Sequence, residues 1–315
     1  MVIRKEVRGM KGIWLRMLRL ALAAVVLPGI ILAQPDPLVA LKKAGILPEF
    51  AKVIQLATGF RFTEGPTADP AGNVYFSDIP ANRIYFWSLD GTVILHRRDT
   101  GGANGLFLDP NGNLFVCEGG DRRVVQIEPN GTVRVLADRY QGKRLNSPND
   151  LWVTPDGGIY FTDPRYGSRE DLEQDGEHVY FIPPDRSAVI RVIDDMARPN
   201  GIVGTPDGKT LFVADHGGGA TYAYDIGPNG LLTNKRLFVR QGSDGMTLDS
   251  EGNVYLTGEA VTVYDPSGKK LGEIPVPERP TNVTFAGRGG RLLFITARTS
   301  IYAVATLVRG WQWKR

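Results

Sequence analysis

A six-bladed β-propeller is the fold this sequence predicts, and two periodic features predict it. An oxygen-bearing residue recurs five places ahead of a similar turn: Glu64, Asn104, Asn149, Asn200, Asp244 and Asn282 precede turns that begin at Asp69, Asp109, Thr154, Thr205, Asp249 and Gly287. Each turn is then followed by a short run of β-branched and aromatic residues. A fixed offset repeated along a chain marks one supersecondary unit repeated. The turns recur at intervals of roughly 40–50 residues, which is the size of a four-stranded propeller blade.

The chain opens with six basic residues, Arg4, Lys5, Arg8, Lys11, Arg16 and Arg19, followed by the apolar stretch Leu20 to Ala33. A basic region, a short apolar run and a small residue at its end are the pattern of a secretory signal peptide. Residues 1–33 are therefore expected to be a signal peptide, and the mature protein to be periplasmic or secreted. An uncleaved membrane anchor is the alternative, and Pro28 and the shortness of the run argue against a spanning helix. The formal net charge of +3 comes from this segment, and the remainder is slightly negative. Such a charge gives no reason to expect a nucleic-acid partner, and no membrane partner is expected once the signal is cleaved. Cys117 is the single cysteine, which excludes an intramolecular disulfide and leaves a buried small hydrophobe as its simplest role.

Residues 34–50 read as a Pro-bounded lead-in with one helical turn around Leu38 to Lys43, and residues 51–315 as the propeller. In each blade a first strand runs from the ring residue to the turn. The second strands are Val74 to Asp78, Leu114 to Glu118, Ile159 to Asp163, Leu211 to Asp215, Val254 to Thr257 and Leu292 to Thr296. Mixed polar and apolar runs such as Arg83 to Ser88 and Thr221 to Tyr224 give third strands. Turns at Asp90-Gly91, Asn130-Gly131, Asn229-Gly230 and Ser267-Gly268 lead to fourth strands such as Thr92 to Leu95 and Thr132 to Leu136. The sixth copy lacks a clear fourth strand after Val304. The segment Lys52 to Ala57, ahead of the first blade, is expected to supply it and so remove an open sheet edge.

First strands line the central channel of a propeller, so the six ring residues should converge there. Second strands run antiparallel to them, so Asp78, Glu118, Asp163, His216, Glu259 and Arg298 should rim the same mouth. Asn104, Glu118, Asp163 and Arg298 are accordingly candidate substrate contacts. Carboxylate and amide oxygens without thiolates favour Ca²⁺ or Mg²⁺, and a wide ring with several neutral oxygens suits Ca²⁺ better, with other divalent cations remaining open. For Asn104 and Asn282 a second reading fits equally well, in which they cap turns or tie adjacent blades. It fits Glu64 poorly, because an unpaired buried carboxylate is costly.

The segments Thr63-Glu-Gly-Pro66, Asn146-Ser-Pro-Asn-Asp150, Tyr160-Phe-Thr-Asp-Pro164 with Tyr166-Gly167, Arg198-Pro-Asn-Gly201 and Gly242-Ser-Asp-Gly245 resemble the SMP-30/gluconolactonase family from about Leu56 to Gly310. The resemblance implies a propeller with a divalent cation, usually calcium, in its channel. It implies Glu64, Asn200 and Asp244 as metal ligands, with Asn149 a fourth ligand or a substrate contact. Some mammalian members carry an arginine two places before the residue matching Asn149. Ser147 stands there in this chain, so their way of holding a sugar does not transfer.

A cation-polarised carbonyl beside a carboxylate that deprotonates water suits hydrolysis of sugar lactones. Asp244 is the expected base and His216 the other candidate. There is no Gly-x-Ser-x-Gly elbow, which counts against a serine hydrolase. Two alternatives share the scaffold: hydrolysis of organophosphate esters or non-sugar lactones at the same metal, and a non-catalytic exported propeller that binds through its face.

Overall fold

Each blade is organised around a turn that the sequence repeats. The amide of the turn glycine donates to the carbonyl three residues earlier, Gly72 to Asp69, Gly112 to Asp109, Gly157 to Thr154, Gly208 to Thr205 and Gly252 to Asp249. These glycines all have positive φ, which glycine adopts without steric cost. In three copies an aspartate closes the turn from inside, with Asp69, Asp109 and Asp249 accepting both the backbone and the side-chain N–H of Asn73, Asn113 and Asn253.

The computed structural model describes residues 36–313. The expected signal peptide, residues 1–33, lies outside the described residues. Among the described residues no helix is long and apolar enough to cross a membrane. Six antiparallel four-stranded sheets make a six-bladed β-propeller. Blade 1 comprises Thr63–Ala68, Val74–Asp78, Arg83–Trp87 and Val93–Arg98, hydrogen-bonded in that order, and blades 2 to 5 repeat the pattern. Blade 6 is closed by the N-terminal strand Ile54–Thr58, which pairs with Ser300–Ala305 from Ile54 opposite Ala303 to Thr58 opposite Ser300. The expected closure therefore forms, and it ties both ends of the propeller into one sheet.

Second strands are buried on both faces and third strands largely so, and alternate residues pack against alternate neighbours. In blade 3, Phe161 and Tyr180 join Phe115 and Cys117 of blade 2, whereas Tyr160 and Phe181 join Leu211 and Val213 of blade 4. Each such aromatic or aliphatic side chain contributes about 1.5–3 kcal/mol by leaving water, so the interfaces between blades are the core. Outer strands alternate, as Val93–Arg98 does between half-buried and exposed residues. The lead-in helix Val39–Lys43 and the turn after it place Leu41, Ile46 and Leu47 in a cluster with Tyr255 of blade 5 and Phe285 of blade 6. Between blades 2 and 3 the chain makes a small ribbon, Arg139–Tyr140 with Lys143–Arg144, that no repeat signalled.

Candidate active site

Glycine lets the channel strands approach one another. The residue after the ring position is glycine in four blades: Gly65, Gly105, Gly201 and Gly245. A Cβ at Gly65 would lie 2.0 Å from the Asn104 carbonyl oxygen, and one at Gly245 would lie 2.0 Å from Asn282 Cγ. In blade 3 that position is Asp150. Its Oδ1 sits 2.6 Å from where a Gly105 Cβ would be, so this carboxylate occupies space that the glycines keep open. Asp150 falls one place off the repeated offset, so the repeat does not mark it.

Glu64 is buried, and its Oε2 accepts from Gly65 N at 2.7 Å and from Asn282 Nδ2 at 3.1 Å. The same Asn282 nitrogen lies 3.5 Å from Asp150 Oδ2. Asn282 therefore ties blades 6, 1 and 3 together, the second of the two readings open to it. Across the channel, Asn200 Nδ2 donates to Asp244 Oδ1 at 2.7 Å and to the Tyr166 hydroxyl at 2.6 Å. Asn104 and Asn149 are half-buried at the starts of their first strands and are tied by their backbones, Asn104 O accepting from Ser77 Oγ and Asn149 O from Gly105 N.

The electrostatics follow from this crowding. Burial, then the neighbouring Asp244 charge, push the Glu64 carboxyl well above the usual range. Burial pushes Asp150 up to about 7. Asp244 is also raised by burial, with His216 opposing. Among the described residues no three His, Cys, Asp or Glu side chains converge as a metal centre by themselves, so a cation here would draw on carboxamide oxygens as well. Buried carboxylates that repel one another, flanked by neutral amides whose oxygens can turn inward, fit a hard divalent cation.

The mouth differs from the expected rim. Asp163 is fully buried, and its two oxygens accept from Asn146 N and Ser147 N at 2.7 Å each. Asp78 does the same for Arg61 N and Phe62 N, and Asp215 for Ala197 N and Arg198 N. These carboxylates hold the loop that enters each first strand, so Asp163 does not face a substrate. Glu118 is also buried and is bound to Arg123 Nε at 2.5 Å. Glu259 points to solvent at 90% exposure. His216 and Arg298, by contrast, line one cavity of about 130 Å³ with Asp244, Phe62, Arg279 and Thr281.

Tyr166 is a contact that the sequence reading did not assign. Its ring meets His216 edge-on at 6.2 Å, and the Arg198 guanidinium lies 5.0 Å over its face. Arg198 is held by Glu177 at 3.1 Å, and Arg165 reaches from the same loop to the Asn146 carbonyl at 2.8 Å. The only sequence signal was its place in Asp163-Pro-Arg-Tyr-Gly167.

The profile described as the SMP-30/Gluconolactonase/LRE-like region matches residues 62–299. The chain belongs to this family. It is 32% identical over 291 residues to a gluconolactonase of Zymomonas mobilis, covering 81% of each chain. It is 26% identical to a lactonase of Staphylococcus saprophyticus, covering 69% of this chain and 70% of that one. Among solved structures, a gluconolactonase of Xanthomonas campestris superimposes with a TM-score of 0.78 at 34% identity, covering 84% of this chain and 92% of the other. A calcium-binding regucalcin of Agrobacterium tumefaciens, at 21% identity and a TM-score of 0.69 over 81% of this chain and 94% of the other, shares the fold. The family match spans all six ring residues and the loop that carries Tyr166.

Proposed function

We propose that this protein is a lactone-hydrolysing enzyme that works with calcium held by Glu64, Asn149, Asn200 and Asp244, and that sugar lactones of the gluconolactone type are its substrates. The observation that carries the reading is the pair of buried carboxylates Glu64 and Asp244, which repel one another and are flanked by the ring amides, with Asp244 also lining the cavity shared by His216 and Arg298. Buried carboxylates that repel one another without a cation between them would cost the fold free energy. The gluconolactonase and lactonase relatives support the reaction class.

A divalent cation bound there supplies the Lewis acidity that polarises a lactone carbonyl. Asp244, at the cavity wall, takes the proton of the attacking water as its oxygen bonds to the carbonyl carbon. The ring C–O bond then breaks, and the proton passes to the departing oxygen, giving a hydroxy acid. Asn200 steadies Asp244 through its 2.7 Å hydrogen bond. His216 shapes the cavity from the blade 4 side, its backbone N–H fixed to the Arg198 carbonyl at 2.9 Å. Asn282 holds Glu64 through its 3.1 Å hydrogen bond and reaches toward Asp150 at 3.5 Å. We further propose that residues 1–33 direct export and are removed.

A panel of lactones followed with a pH indicator, with calcium present and then chelated, tests the reading. Acid release that depends on calcium supports it, and release that persists in chelator contradicts the role given to the cation.

A further inference from the structure

Two arginines converge on the cavity that holds Asp244, and neither is spent on structure. Arg298 occupies the first position of the two-residue hairpin between Ala297 and Ser300, with φ at +46°. A positive φ at that position normally calls for glycine, so an arginine there is held in a conformation that its side chain disfavours. Strain of this kind points to function when the surroundings enforce it. Here they do. The Arg298 carbonyl accepts from Thr63 N at 2.7 Å and from Thr63 Oγ1 at 3.2 Å, one residue from Glu64. The next residue, Thr299, donates its N–H and its hydroxyl to Glu278 Oε2 at 2.8 Å each.

That clamp also places the second arginine, because Arg279 follows Glu278 directly. The carboxylate lying between them is occupied, since Glu278 also accepts from Ser300 Oγ and from the Tyr302 hydroxyl. Among the described residues the Arg298 guanidinium has no hydrogen-bond or ion-pair partner. Arg279 has one loose pairing, 3.7 Å from a Glu259 that is 90% exposed. Both arginines line the cavity of about 130 Å³ with His216 and Asp244.

We propose that Arg279 and Arg298 form an anion subsite, so that the lactone opened here carries a carboxylate or phosphate group. The inference rests on the lactonase reading above and narrows its substrate class. A guanidinium presents a planar fork of donors matched to carboxylate and phosphate oxygens. A pair of them anchored beside the reacting carbonyl would orient an acidic substituent while the ester end reaches Asp244 and the ring.

The test compares three lactones on the intact calcium-loaded enzyme: glucono-δ-lactone, its 6-phosphate and the monolactone of glucaric acid. The expected result is a higher kcat/KM for the two acidic lactones, with the acidic-to-neutral ratio falling about ten- to a hundredfold in Arg298→Ala and Arg279→Ala. Arg298→Lys should keep part of the ratio. The arm that falls further identifies the carboxylate or the phosphate as the natural group. A ratio unchanged in both variants would overturn the proposal. Calorimetry with glucarate against glucitol gives a readout that needs no turnover. Binding of glucarate that weakens at least about tenfold in Arg298→Ala upholds the subsite even if every lactone is inert, in which case the lactonase reading fails instead. Equal binding of glucarate to the wild type and both variants overturns the subsite.

Discussion

Asn200 Nδ2 lies 2.7 Å from Asp244 Oδ1, joining the channel strands of blades 4 and 5 at the point where the cavity opens. One hydrogen of that amide holds the carboxylate and the other meets the Tyr166 hydroxyl. Among the described residues the amide oxygen makes no hydrogen bond. Asp244 is thus fixed by its neighbour while remaining on the cavity wall, which is the arrangement a general base requires.

That arrangement separates Asp244 from His216 experimentally. Loss of a general base typically lowers the rate about 10²–10⁴-fold. Asp244→Asn keeps an oxygen for the cation but cannot accept the proton, so at saturating calcium its kcat should fall by that factor. His216→Ala should lose less than about tenfold. The reverse ranking, measured on calcium-loaded samples, assigns the proton to His216.

The close approach of blades 1 and 2 makes Gly65 irreplaceable. Its φ is +47° and an added Cβ would meet the Asn104 carbonyl oxygen at 2.0 Å. Gly65→Ala should destabilise the fold by about 2–4 kcal/mol and lower Tm by several degrees. Gly131→Ala, also at positive φ but with nothing within 4 Å, isolates the backbone term and should cost about 1 kcal/mol. Equal losses in the two variants on thermal denaturation would show that the contact between blades contributes nothing.

Calcium binding should depend on pH with a definite sign. Burial, and for Glu64 also Asp244, raise the carboxyl pKa of the cation-free site, Asp150 to about 7. Asp150, raised to about 7, is partly protonated near neutrality, and a cation drawing on these crowded carboxylates must displace the protons they hold. Affinity therefore rises with pH and falls as pH drops through 7, by about tenfold per unit for each proton displaced. Calorimetry at pH 6 and pH 8, in buffers of different ionisation enthalpy, measures both the affinity and the proton release. Equal affinities at the two values would contradict the crowded-carboxylate account.

Export is tested by mass. The mature protein recovered from outside the cytoplasm should begin near Gln34. A full-length species in the membrane fraction would favour the anchor.

The blades were legible because the turn and the ring residue lie within one short stretch of chain. The six residues from Glu64 to Asp69, or from Asn200 to Thr205, are enough to define the first strand and its reversal. Closure through Ile54–Thr58 was legible for a related reason, since blade 6 visibly lacked a strand and the chain had one to spare. What the sequence hid were contacts across loops. Asp78, Asp163 and Asp215 end their strands at the mouth, and a count of residues cannot show that each turns back to bind the amides of an entering loop. Asp150 was hidden by register, because the repeat marks Asn149 while a glycine slot in the other blades is what admits the Asp150 carboxylate. Tyr166 and Arg279, unlike Arg298, carry no mark of the repeat, and their loops are held by Glu177 and Glu278 through contacts that no periodicity reveals.

Lactone hydrolysis should depend on a calcium held by Glu64. Calcium calorimetry on the wild type and Glu64→Gln, with hydrolysis followed on the same samples, tests it most directly. Glutamine keeps an oxygen for Gly65 N and removes one buried charge, so the variant should melt in chelator no lower than the wild type. The expected result is one calcium per wild-type chain, at least about tenfold weaker binding in Glu64→Gln, and hydrolysis lost both in that variant and in chelated wild type. Undiminished calcium affinity in Glu64→Gln, or lactone opening that survives chelation, would contradict it.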